Sequence, residues 1–397
     1  MDIRLEGDAG KALTPNPIKV YRGVRKLFPI DISALPVGRH KIAIRCAGME
    51  QYEFLEKAAP PPAGQVEIKV DRLRHIFLRN GKPLILWAAC GYAEPQRFNT
   101  MMSGSGAAAK AAGMMWIPWG ASWGNDLDAK KFVEGSLATG AEVAAYMFHD
   151  EPGLDSASKI QKQYREVRTL DPYRPAFFLK GGCTAKEAPG ATDVVAGSYY
   201  AWGCANCAFY TLGQRDFYGI RQETDSRLRE DGVLLRKLGI TGWVNLTAYS
   251  GGENAVIGTP AQHRALIYLG LVHGFRNFSE WGERPASEEI WDFFVTIKRQ
   301  LEMLGDILGN DQAFEEAAGA LGDARYTLWS SRGKFCFVVV NTSESPIKIE
   351  YRFPAIRAKT PEAVKPIFAG DPPAKLQHGV LTLELPGSGA GAYEISG

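Results

Sequence analysis

The stretch Ala144-Ala-Tyr-Met-Phe-His-Asp-Glu-Pro152 ends an apolar run in three groups that can move or hold protons, His149, Asp150 and Glu151. A carboxyl held protonated can assist a departing oxygen, while an ionised one can attack or activate water. Such chemistry calls for two carboxylates in opposed environments. Glu151 is the first candidate, as proton donor. Two partners are open. Glu280 lies within the predicted strand Phe275-Arg-Asn-Phe-Ser-Glu-Trp281, where a strand ladder would fix its backbone. Glu253 follows Ser250-Gly-Gly252, where glycines leave the chain freer, and it ranks second. The competing role for Glu280 is a strand-end ion pair with Arg276.

Aromatic residues gather near the same run ends: Trp116, Trp119 and Trp123; Tyr199, Tyr200 and Trp202; Tyr249 and Trp281. Flat apolar rings suit stacking against a sugar, although each could equally be core. His149, Asp150, Trp119, Tyr200, Tyr249 and Trp281 are therefore the substrate-contact candidates.

The elements that must position these groups change grammar twice. From Ile3 to about Val70 the pattern alternates, as in His40-Lys-Ile-Ala-Ile-Arg-Cys46 and Gln65-Val-Glu-Ile-Lys-Val70, which predicts an antiparallel β-sandwich over 1–71. Asn80-Gly81 then sits between apolar runs as a type I′ hairpin turn requires. Over 72–312, continuous apolar runs alternate with helical stretches, the signature of β/α units. Seven strands begin near Leu84, Met114, Val143, Pro175, Asp193, Trp243 and Phe275, and the gap where an eighth is expected falls between Trp119 and Val143. Thr259-Pro-Ala-Gln262 is a capping box with proline at the first helical position, and Ser287 can cap a helix with the stripe Ile290, Phe294, Ile297, Leu301 and Leu304. From 313 to 397 the period returns to two, predicting a second sandwich. The fold class is thus α/β, a (β/α)8 barrel with one irregular or missing unit between two antiparallel β-sandwiches.

That order of parts, with Asp-Glu-Pro at a strand end, resembles the retaining glycoside hydrolases of the (β/α)-barrel superfamily. The resemblance implies a general acid/base Glu at the end of the fourth strand, which is Glu151, and hydrolysis of a β-linked glycoside. It places the nucleophile at the end of the seventh strand, but Thr247-Ala-Tyr-Ser250 there carries no carboxylate before Glu253. Asp150 also stands where the superfamily has Asn. A non-catalytic carbohydrate-binding protein on a degenerate barrel is the alternative function.

Other classes find little support. Lys and Arg number 46 against 44 Asp and Glu, leaving a net charge of +2, so nucleic acid and anionic membranes are not expected partners. The six histidines form no H-x-H or H-E-x-x-H pattern, and no Walker loop or G-x-S-x-G elbow occurs, so neither cofactor nor metal is expected. Cys204-Ala-Asn-Cys207 with Cys183 could hold a metal, form a disulfide or stay reduced, and free thiols are the default. Gly104-Ser-Gly106-Ala-Ala-Ala109 fits a loose dinucleotide fingerprint but is set aside because Arg97 to Ser103 reads poorly as the strand that must precede it. The N-terminus lacks a signal-peptide layout, giving a cytoplasmic expectation, or a secreted or periplasmic one for a trimmed mature form. The Pro-rich stretch Ala58 to Gly64 is expected to be an exposed linker. Limited proteolysis should cut there first; resistance at that stretch with cleavage inside 72–312 would defeat the boundary.

Overall fold

A computed structural model describes residues 2–5, 13, 32, 34–122, 125–199, 217–247, 258–282, 287–354 and 360–396, with 2–5, 54–56, 217–223 and 247 described by backbone alone. The chain forms two compact units, Met1–Gln65 and Val66–Gly397. The first contains a three-stranded antiparallel sheet of Asp2–Leu5, Gly38–Cys46 and Met49–Lys57.

The second unit is built on a parallel barrel. Its strands are Trp87–Cys90, Thr100–Met102, Met115–Ile117 with Trp119–Ser122, Tyr146–Asp150, Ala176–Leu179, Val194–Ser198, Thr241–Thr247 and Asn277–Trp281. The sheet is nine-stranded when Met115–Ile117 and Trp119–Ser122 are counted apart. They flank Pro118, which has no N–H to give; the third strand pairs with the second before the proline, and with the chain of the fourth on both sides of it, at Trp116 with Val143 and again from Trp119. Taken as one strand, nine become eight and the barrel closes, the last strand pairing with the first. The eighth strand therefore lies at Thr100–Met102 and not between Trp119 and Val143. Three residues joined to the previous strand without a helix are too few to show a period. Arg97 to Ser103 does hold a strand before Gly104, against expectation. Yet Gly106 is spent on packing, since a Cβ there would stand 2.7 Å from Thr139 Oγ1 and 2.8 Å from the Trp116 ring.

The interior cluster contains Leu86, Ala88, Ile117, Ala145, Met147, Phe177, Leu179, Val194 and Trp243. Ile68 and Phe77 belong to it as well. They come from a small antiparallel sheet, Ile68–Asp71, Ile76–Arg79 and Lys82–Leu84, whose apolar face closes the barrel floor. The alternating run ending at Val70 thus belongs to the barrel unit, which corrects its assignment to the N-terminal domain; alternation marks a half-buried strand without saying what it covers. Asn80 and Gly81 make the expected two-residue turn, at φ 49° and 79°.

The helices Ala129–Ala138, Ala157–Leu170, Phe217–Leu238, Pro260–Val272 and Glu288–Gly309 follow the third, fourth, sixth, seventh and eighth strands. The capping box at Thr259 forms as read, and Ser287 accepts from the Ile290 N–H. All five residues of the Ile290 to Leu304 stripe are buried.

After the barrel, a five-stranded sheet (Phe314–Leu321, Ala324–Ser331, Lys334–Asn341, Ala390–Ser396, Ala363–Pro366) faces a three-stranded one (Ile347–Arg352, Val380–Leu385, Ala374–Gln377) across a core of Phe337, Val339, Leu381, Leu383 and Ile395. The other face of the larger sheet, with Trp329, Val338, Val340 and Ala392, belongs to the cluster that packs the barrel helices. Burial on both faces is why Phe335-Cys-Phe-Val-Val-Val340 is continuously apolar. Helix Pro260–Val272, covered by strands on one side and this sheet on the other, is buried at Ala265 to Val272 without a break. Polar ties cross the contact. Arg264 of that helix donates to the Ala390 carbonyl at 2.8 Å and pairs with Asp371, whose side chain is fully enclosed. Asp371 also accepts from the Ala392 N–H at 3.1 Å. Replacing Asp371 by Ala should strand the guanidinium and cost about 3 kcal/mol or more; urea unfolding measures it, and a loss below about 1 kcal/mol would show the pair to be dispensable.

Candidate active site

Asp150 ends the fourth strand, and simple alternation from the inward Met147 would turn His149 in and Asp150 out. The ladder shows otherwise. Against the fifth strand Met147 pairs with Phe177, but His149 pairs with Phe178 and Asp150 with Leu179, so Phe148 is the extra residue of a bulge there, while the third strand keeps step with Trp119 at Met147, Ala121 at His149 and Ser122 at Asp150. Partners in a parallel ladder share a face. Leu179 is interior and Phe178 belongs to the outer layer, so Asp150 points into the barrel mouth and His149 away from it. Electrostatics agrees. Asp150 acts on the thiol of Cys90 at the end of the first strand, whereas His149 feels Lys159 of helix Ala157–Leu170. His149 is fully buried, hydrogen-bonds through Nδ1 to the Asp150 carbonyl at 3.1 Å, and is kept below its ordinary pKa by burial. As a substrate-contact candidate it is thereby displaced from the mouth.

Asp150 is 9% exposed, and burial, reinforced by the neighbouring Glu151 charge, pushes its carboxyl up to about 7. It is thus a carboxylic acid that keeps its proton near neutrality. Glu151, exposed, takes the unusual φ of 42°, and its N–H donates to the Leu179 carbonyl at 3.0 Å.

Glu280 does not join them. It pairs with Leu246 and Ala89, both in the outer layer, and so faces the helices. There it is 6% exposed, 3.8 Å from Nδ1 of His263, a buried imidazole whose pKa falls to about 3 through desolvation. Strand parity, which a run with polar residues on both faces conceals, decides the matter. Nor does Arg276 pair with it: the guanidinium donates to the carbonyls of Leu271 and Phe275 at 2.7 and 2.8 Å and lies over the Trp329 ring. Glu253, Tyr200 and Tyr249, together with Trp123, Trp202, Cys204 and Cys207, lie outside the described residues.

Trp119 and Trp281 meet with ring centroids 5.4 Å apart and planes at 51°, and Trp281 remains 37% exposed. They form an aromatic wall from the third and eighth strand ends. Trp116 and Tyr199 are instead core: the first donates to the Ser103 carbonyl, and the second is enclosed with its hydroxyl on Asp231. A cavity of about 580 Å³ opens beside Trp119, lined also by Ser103, Asn125, Asp128 and Lys131; the carboxyl of Asp150 is not in its wall.

The sequence reading passed over a polar chain inside the barrel. Trp243 Nε1 donates to Ser279 Oγ at 2.8 Å, Ser279 donates to Asn245 Oδ1 at 2.8 Å, and Asn245 Nδ2 reaches Ser198 Oγ at 3.4 Å. Single polar residues at inward positions of apolar strands were the available signal. Among the described residues, Cys46, Cys90, Cys183 and Cys336 are free thiols, and no cluster could hold a metal ion. No helix there is long and apolar enough to cross a membrane.

No protein-family model and no curated protein matches this sequence. Solved structures do match it. A Bacteroides fragilis protein provisionally described as an alpha-galactosidase/melibiase is 11% identical, with a TM-score of 0.51 over 90% of this chain and 86% of its own. Alpha-galactosidase I from Mortierella vinacea is 7% identical, covering 79% of this chain and 96% of its own at a TM-score of 0.49. A glycoside hydrolase family 30 subfamily 8 xylanase from Clostridium acetobutylicum is 8% identical, covering 80% and 97% at 0.47. At such identities the likeness to the first is one of fold: this chain is a (β/α)8 barrel accompanied by antiparallel β domains.

Proposed function

We propose that the protein is a glycoside hydrolase whose general acid stands at the end of the fourth barrel strand. The observation that carries the reading is Asp150, an inward carboxyl at the barrel mouth that holds its proton up to about pH 7. A glycosidic oxygen needs that proton as it leaves, and the Trp119–Trp281 wall offers a sugar an apolar face. The acid role passes from Glu151, the sequence-based choice, to Asp150, with Glu151 beside it raising the proton affinity. With Glu280 turned to the helices, Glu253 becomes the proposed second carboxylate. Carbohydrate is the proposed partner.

A second reading, carbohydrate binding without turnover, draws on one observation: among the described strand ends, Asp150 and Glu151 are the carboxylates at the mouth. A screen of chromogenic α- and β-glycosides separates the two, since saturable binding with no turnover on any of them favours the second.

If Asp150 is the acid, turnover should fall as pH rises through about 7, and Asp150→Asn should lose about 10²- to 10⁴-fold on poor leaving groups but less on activated aryl glycosides. Equal losses on both would remove it from proton transfer. Stability provides an independent check. The folded state holds this proton to higher pH than the unfolded chain, so the group's contribution is fully present below pH 4 and is lost as pH rises toward 7. Asp150→Asn should therefore be more stable than wild type at pH 8, by about 1–4 kcal/mol, and nearly equal to it at pH 4. An Asn variant that is less stable at pH 8 would contradict the buried acid.

The second carboxylate is tested with Glu253→Ala and Glu280→Ala separately, each supplied with azide to fill the lost carboxylate's place. Azide should restore turnover to Glu253→Ala only; rescue of Glu280→Ala instead would reverse the assignment.

A further inference from the structure

Two glycines press on the end of the fourth strand from opposite sides. Gly120 lies in the third strand, where a Cβ would stand 2.4 Å from the Phe148 carbonyl oxygen and 2.9 Å from its carbon. Gly181 follows the fifth strand, and a Cβ there would stand 2.7 Å from the Glu151 carbonyl carbon and 2.8 Å from its Cα. Both clashes are with backbone, which cannot rotate away as a side-chain tip can. Neither glycine has a positive φ, so conformational freedom does not explain either one. What they provide is room. The space beside Gly120 takes the bulged carbonyl of Phe148, and the space beside Gly181 takes the chain where Glu151 adopts φ 42°.

The bulge has a specific geometric result. It shifts the strand's pairing with the fifth strand by one residue between Met147 and His149, while the pairing with the third strand stays in step, and it sets His149 level with the outer Phe178 and Asp150 level with the inner Leu179. Without it, alternation would leave the imidazole in the mouth and the carboxyl among the helices. We infer that Gly120 and Gly181 are positioning residues that together hold the fourth strand in the bulged form and so deliver Asp150 and Glu151 to the barrel mouth. This rests on the reading of Asp150 as the acid only for its kinetic consequences; the orientation of Asp150 can be tested without any substrate.

The test uses Gly120→Ala and Gly181→Ala in the full chain, with Gly370→Ala as a control, since a Cβ at Gly370 meets nothing within 4 Å. Titration of Asp150 is followed by carboxyl-carbon NMR, its resonance assigned by loss in Asp150→Asn. In wild type and in the control the midpoint should lie near 7; in the two variants it should shift by about one pH unit or more as the carboxyl leaves its enclosed place. On a glycoside that wild type cleaves, kcat should fall by about 10- to 100-fold with KM changed far less, as expected when a reacting group is displaced by about 1 Å. A residue that served only packing would lower the melting temperature and leave both the midpoint and kcat in place, and that result overturns the inference. Should Gly120→Ala fail to fold, Gly181→Ala presses on the same segment from the other side and decides alone. If wild type cleaves no glycoside, the functional reading fails while the titration still decides the positioning role.

Discussion

Closure of the barrel by hydrogen bonds is the constraint on which the rest depends. A parallel sheet with a free edge leaves a row of amide groups unpaired, and here each strand finds a neighbour on both sides only because two irregularities are tolerated. Thr100–Met102 fills its place with three residues, and the third strand is interrupted at Pro118, beyond which it pairs with the fourth strand. Once the ring is closed, inward and outward positions are fixed all around it. A strand end can then offer a side chain to the mouth only on its inward face.

That is why the bulge at Phe148 matters more than its single residue suggests. Catalytic strand ends of barrels commonly present what alternation allows; here the ladder to the fifth strand slips by one position while that to the third does not, and the carboxyl and imidazole exchange sides. Glu280, on a strand with regular pairing to both neighbours, has no such device and stays beside His263 in the outer layer. Two acidic residues at similar distances along their strands therefore meet opposite environments, one at an open mouth and one against helices.

Much of the architecture was legible because its causes are local. The capping box at Thr259, the Asn80-Gly81 turn and the Ile290 to Leu304 stripe each follow from a few neighbouring residues, and all formed as read. The second strand was hidden because three residues cannot display a period. The outward turn of Glu280 was hidden because Phe275 to Trp281 carries polar residues on both faces, Asn277 and Ser279 on one and Arg276 and Glu280 on the other, so the letters do not say which side is inside. The raised proton affinity of Asp150 was hidden because its burial and its pairing with Leu179 depend on neighbouring strands, which the motif does not show.

The two-sided burial of helix Pro260–Val272 bears on the order in which the chain can acquire its structure during synthesis. The sheet that covers its outer face has Ala390–Ser396 between Lys334–Asn341 and Ala363–Pro366, so its last-made strand is an interior one. At ribosomal speeds of 5–20 residues per second, the segment between the helix and that strand takes roughly 10 s to emerge. Through that interval the edge of Lys334–Asn341 that Ala390–Ser396 will occupy has no partner. The sheet over the helix is thus completed only when its last-made strand enters between two made before it.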